Sequence, residues 1–293
     1  MNVEVACDAL ATIGEGPIWD ERSGWLHWVD IPAGQVHRFA PADGSDSQIE
    51  VGQPVGSLGL GTLGGLVLGI RDGFGLIQNG ASELGAVIEV ERDVPGNRMN
   101  DGRCDPAGRF WAGTMAWDHT PGSGSLYKLE NSGGGLCAVS VLAGLTVANG
   151  LDWSPDGGLL YYIDSPTQRV DVFDFDAGDG TLQRRRPFVQ IPEADGLPDG
   201  MVVDAAGCVW VALFGAGRVR RYTPAGRIDL EIVFPVSLVT SLAFGGADLG
   251  DLYVTTARHR LTDEERAEQT HAGSLFVCRP GPRGLVSRRF QWI

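Results

Sequence analysis

NGLDWSPDGGLLYYIDSPTQRVDVFDFD, residues 149–176, is the stretch whose reading decides the fold. A polar residue and a glycine lead into a short apolar strand, 151–154. Pro155-Asp156-Gly157-Gly158 is turn chemistry, because proline presets its own φ and glycine takes positive φ without steric cost. Residues 159–164 are rich in aromatic and branched side chains, as expected of a half-buried strand. In 169–175, Val170, Val172, Phe173 and Phe175 alternate with Arg169, Asp171 and Asp174, nearer a period of two than of 3.6. The reading is a three-stranded meander with a fourth strand at 186–191. Such a sheet has two open edges and two faces to cover, so it cannot stand alone.

Copies of it occupy the rest of the chain. Residues 200–227 read GMVVDAAGCVWVALFGAGRVRRYTPAGR, and 16–44 read GPIWDERSGWLHWVDIPAGQVHRFAPADG. GRCDPAGRFWAGTM at 102–115 follows the same plan, with its third strand deferred to 125–129. A glycine-rich version runs over 57–80, and SLAFGGADLGDLYVTTA at 241–257 is completed by GSLFVCRP after an insertion. Starts near 16, 57, 101, 150, 200 and 241 give a period of roughly 40–50 residues, the signature of a β-propeller. Six copies predict an all-β, six-bladed propeller that occupies 1–293 as one domain. A strand at 2–7 is expected to help close the ring. Thr262-Asp263-Glu264-Glu265 reads as a capping box, which predicts a short helical insertion in the last blade, to about Gln269.

The formal charge of −14 argues against a nucleic-acid partner, since an acidic chain repels phosphate backbones. Met1 is followed by neither a basic segment nor a long apolar run, so no leader and no membrane span are expected, and a cytoplasmic location is. The five cysteines are scattered without CxxC spacing, which speaks against a disulfide framework and a thiolate zinc site. Arg184-Arg185-Arg186 reads as a solvated run ending a surface turn. GLGTLG at 59–64 matches a dinucleotide fingerprint, but strands flank it and no helical pattern follows.

In a propeller the residues just before the innermost strands meet at one mouth of the axis. That position holds Glu15, Asn100-Asp101, Asn149 and Asp199, with Ser57 and Thr240 from the other two repeats. Carboxylates and carboxamides are hard oxygen ligands that suit calcium, magnesium, manganese or, with open positions, zinc. His27 lies inside a strand and reads as structural. His119, in the loop after the third repeat's second strand, is a candidate to face the channel.

The chain also resembles the senescence-marker-protein/gluconolactonase (regucalcin-like) family. The resemblance is densest at GEGPIWD (14–20), RMNDGRCDPAGRFWAGTM (98–115), NGLDWSPDG (149–157), YYIDS (161–165) and PDGMVVD (198–204). It implies a six-bladed propeller with one divalent metal ion on Glu15, Asn149 and Asp199. Calcium is the first candidate for that ion, with zinc, manganese, magnesium or iron also compatible. It further implies that Arg98 and Asn100 bind substrate, and that an acid after AGTM, here Asp118, contacts sugar hydroxyls. The expected function is a hydrolase of carbohydrate metabolism, a carboxylic ester hydrolase that opens a sugar-acid lactone to the aldonic acid, with either Asp199 as general base or the metal ion itself carrying hydroxide. Two other readings stay open: a propeller hydrolase of hydrophobic lactones or organophosphates, and a non-catalytic calcium- or protein-binding propeller.

Overall fold

The computed structural model describes residues 1–292, and these build six sheets around one axis, five of them wholly antiparallel. The innermost strands are Gly14–Asp20, Val55–Gly61, Asn97–Cys104, Ala148–Trp153, Leu197–Val203 and Val239–Gly245. Each touches the next in order, and the last packs on the first, so the ring is closed. Val3–Cys7 pairs antiparallel with Leu275–Cys278 and supplies the outer strand of the sixth blade, the expected closure. The helix Asp263–Glu268 follows a complete capping box on Thr262, as its sequence required.

The repeated turn chemistry explains the repeated blade. In DPAGRFW, Asp105 accepts from the backbone of Ala107 and Arg109, and its other oxygen accepts from Trp111 Nε1 at 2.9 Å. DAAGCVW repeats this with Asp204 and Trp210. One carboxylate thus ties a tight turn to a buried indole, and the indole anchors the core between neighbouring blades. At the other end of the blade, Asp30 accepts from the backbone of Thr12 and Ile13, and Asp164 from Thr146 and Val147. These bonds pin the chain two residues ahead of Glu15 and Asn149.

Three features depart from the sequence reading. First, the polar residues expected just ahead of the innermost strands lie inside them. The ladder is broken in every one of the six, between Glu15 and Ile18, Val55 and Ser57, Met99 and Gly102, Ala148 and Leu151, Pro198 and Met201, and Val239 and Ser241. A bulge leaves residues unpaired and re-aims their side chains. Second, Arg184–Arg186 belong to the outer strand Leu182–Gln190 and pair with Asp171 and Asp174 rather than ending a turn. Third, the second blade has a fifth strand. Arg289–Phe290 runs parallel along the inner edge of Val55–Gly61. Bonds from Gly284 to Leu249, Ser287 to Trp19, Arg288 to Ser154 and Gln291 to Gly108 carry this tail across the end of the channel opposite the bulges.

Glycines at the bulges let neighbouring innermost strands approach each other. A Cβ on Gly56 would lie 2.4 Å from Met99 O, and one on Gly150 would lie 2.6 Å from Asp199 O. Backbone cannot yield as a flexible side chain can, so Gly56→Ala should cost about 1–3 kcal/mol. We expect its melting temperature to fall by about 3–10 °C in a thermal scan. An unchanged midpoint would show that the ring is looser than these contacts imply.

Candidate active site

The bulges turn Glu15, Asp101, Asp199 and Arg98 toward one mouth of the axis, near enough to feel one another's charge. Glu15, Asp101, Asp199 and Arg98 are each less than a tenth exposed. Burial pushes the Glu15 carboxyl well above the usual carboxylate range, and the neighbouring charges of Asp199 and Asp101 push it further. Asp199 is raised in the same way, first by burial and then by Asp101. Asp101 itself is raised to about 6 by burial, although Arg103 opposes the shift. Arg98 lies within reach of Glu15 and Asp199, yet burial draws its guanidinium down to about 10. Arg98 is the positive group that bears on Glu15 and Asp199, and Arg103, which acts on Asp101, is itself paired with Asp152, so the centre is short of positive charge.

Asn149 completes the centre. Its carboxamide lies beside Asp199. Its Nδ2 donates to Ser165 Oγ at 3.0 Å, and that hydroxyl donates to Pro198 O, which fixes the amide orientation and ties the fourth blade to the fifth. Asn149 Oδ1 is buried with no partner. A buried oxygen without a donor costs roughly 1–3 kcal/mol, and a cation would satisfy it. Among the described residues no three His, Cys, Asp or Glu side chains gather into a metal-binding group. An ion here would therefore take the carboxamide as its third donor, beside Glu15 and Asp199. Two carboxylates and a carbonyl oxygen suit a hard divalent cation.

Arg98 is held as a donor. Its Nη1 gives one bond to Asn100 Oδ1 at 2.7 Å and another to Met99 O, and Trp117 lies over the guanidinium at 4.7 Å. Its Nε is buried and unpartnered. Asn100 also donates to Ala148 O at 2.8 Å, so its carboxamide is engaged by protein at both ends with one amide hydrogen left over.

Asp118 stands apart from this group. Its exposed carboxylate accepts from Thr120 N and Oγ1, at 3.0 and 2.7 Å. His119 lies in the same loop, within electrostatic reach of Arg98 and of His259 and Arg260 from the sixth blade. His27 is buried inside its strand, and desolvation lowers it to about 4, in keeping with a structural residue. Sequence reasoning placed Asp101 in the converging set but gave it no role. His259 and Arg260 were not singled out, because they sit on an irregular loop where no strand period fixes direction.

The fold and site define a six-bladed propeller with an acid-lined centre at one mouth of its axis and a buried arginine beside it. The chain belongs to the SMP-30/gluconolactonase/LRE-like family, whose sequence model matches residues 13–258. It is 39% identical over 277 residues to a protein of Bacillus subtilis provisionally named sugar lactone lactonase YvrE, covering 94% of each chain. It is 34% identical to regucalcin of Xenopus laevis, covering 99% of each. The solved structure of regucalcin from Agrobacterium tumefaciens, described as a calcium-binding protein, superposes with a TM-score of 0.94 at 28% identity, covering 99% of this chain and 98% of that one.

Buried acids with raised pKa values stabilise the fold while protonated, and that contribution is lost as pH climbs through their folded-state values. With divalent ions chelated, Asp199→Asn should therefore melt higher than the native chain at pH 8, by about 2–5 °C, and nearly level with it at pH 5. A lower midpoint at pH 8 would mean that the acids are not crowded together.

Proposed function

We propose that this protein is a divalent-cation-dependent hydrolase that opens a sugar-acid lactone to the aldonic acid. The observation that carries the reading is that two buried polar atoms without partners, Asn149 Oδ1 and Arg98 Nε, belong to side chains that neighbour the desolvated carboxylate of Asp199. The lactonase names of relatives covering nearly the whole chain support it. Glu15, Asn149 and Asp199 would hold the cation. Once bound, such an ion polarises the lactone carbonyl and offsets the acids' charge.

The residues then divide the work. Arg98 donates to the carbonyl oxygen, where negative charge develops as water adds to C1. Asn100 and Trp117 keep the guanidinium in place, and each is a positioning residue. Asp199 takes a proton from the attacking water and returns one to the ring oxygen when the C1–O bond breaks. The products are one carboxyl group and one freed hydroxyl, with no other reactant consumed. Asp118 can orient a sugar hydroxyl only by releasing Thr120, so its contribution should be the smaller one.

Asp199→Ala, folded and given excess calcium or zinc, should lose about 10²–10⁴-fold in kcat for glucono- or xylono-lactone. Asp118→Ala should lose less than about tenfold, mainly through KM. Full activity in Asp199→Ala would remove the assignment. Calcium at about a hundred times its Kd should also raise the melting temperature of chelated protein by several degrees, since binding to the folded state alone contributes about 2.7 kcal/mol. Asn149→Ala should abolish that rise.

A further inference from the structure

The seam between the second and third blades holds a cavity of about 430 Å³ that the catalytic centre does not use. Its lining comes from the turn after Leu66–Ile70, from residues 89–95 that link the two blades, and from the third blade's strands Asn97–Cys104 and Phe110–Ala116. It lies at the same end of the blades as the bulges, since Arg71 N donates to Pro54 O, just ahead of Val55–Gly61. Met99 points into the seam, where a Cβ on Gly69 of the second blade would come within 3.2 Å of the Met99 Cβ. Met99 and Val90 supply buried apolar lining, and exposed Val94 stands at the opening.

Glu91, on the polar side, holds a φ of 55°, where an ordinary side chain stays only if its surroundings enforce it. Three donors supply that hold. Asn97 Nδ2 donates to one carboxylate oxygen at 2.7 Å, and Thr114 Oγ1 and Tyr127 OH donate to the other at 2.9 and 3.0 Å. A carboxylate has about four lone-pair sites, so one position on Glu91 stays open. Asn97 is 5% exposed and gives its amide to Glu91 and to Ser123 O. Among the described residues no donor meets its Oδ1, so the buried carboxamide keeps an acceptor free beside the cavity. Arg71 and Arg92 bring donors to the rim, each paired with an exposed neighbour, Asp72 and Glu89. Exposed pairs of this kind contribute little, so either guanidinium can turn to a ligand.

Open acceptors, movable donors and an apolar surface together define the ligand. Hydroxyl groups both donate and accept, so one polyol can serve the carboxamide, the carboxylate and a guanidinium. An anion would face Asp72, Glu89 and Glu91, and a divalent cation would find no three such ligands gathered among the described residues. We propose that this seam is a second binding site, for a neutral polyhydroxylated molecule such as a free sugar, seated apart from the acid-lined centre. Its size suits one small ligand, since such pockets commonly span ~300–1,000 Å³. The two sites share a frame, because Asn97 and Met99 flank Arg98 on one strand and Trp117 N donates to Gly96 O at 3.0 Å.

Isotope-labelled methionine methyl groups report on both sites by NMR. Met99 lies in the seam, and Met201 lies on the fifth blade's innermost strand, close in sequence to Asp199. D-Glucose is titrated at tens of millimolar into chelated protein, with Met99→Leu to assign the signal. The Met99 signal should move along a saturable curve in the native chain and stay still in Val94→Trp, whose indole fills the opening. Met201 should stay still in both, and its unchanged position in Val94→Trp shows that the ring is intact. Gluconate, which adds a negative charge to similar hydroxyls, should bind at least about tenfold more weakly. An unmoved Met99 signal in the native chain overturns the site. Movement of Met99 and Met201 together that survives Val94→Trp puts the glucose at the acid-lined centre, and overturns it too. Gluconate binding as tightly as glucose overturns the neutral class. No turnover is measured, so the outcome stands whether or not the lactonase reading does.

Discussion

Six sheets can close around an axis only if their innermost strands crowd together at the centre. A regular ladder there would put alternate side chains of every strand against its neighbours. The chain avoids this with a bulge in each innermost strand at one level, and with small residues where backbones meet. The bulge also turns the freed side chains toward the axis. One geometric necessity therefore closes the ring and supplies the polar groups of its mouth.

Those groups are costly for the fold to keep. Glu15, Asp101 and Asp199 are desolvated and repel one another, and Arg98 offsets only part of their charge. Sites that bind or react commonly hold such unfavourable arrangements, and the remaining structure must compensate. Here the compensation is visible in buried tryptophans fixed by aspartates, in paired surface arginines, and in a C-terminal tail laid across the opposite end of the channel. The two mouths thus differ, one filled by the chain itself and the other left polar.

Much of this was legible beforehand because repetition averages out local ambiguity. A lone strand such as 159–164 can be mistaken, but six units on the same strand-turn-strand plan cannot easily be. The capping box at Thr262 was legible for another reason, since its two hydrogen bonds are local in sequence. The fifth strand of the second blade was not legible, because Arg289–Phe290 is too short to carry a period and its partner lies more than two hundred positions away. Asn100 shows the same limit at the scale of one side chain. Its place in the ring follows from the repeat, whereas its bonds to Arg98 and Ala148 depend on a rotamer.

The sequence by itself determined the number of blades, their turns and the positions that gather at the axis, since period, turn chemistry and strand alternation are local properties summed along the chain. Tertiary structure alone decided which gathered side chains face one another and which atoms go without partners. Those outcomes turn on distances of an ångström between residues remote in the polymer, and no local pattern encodes them.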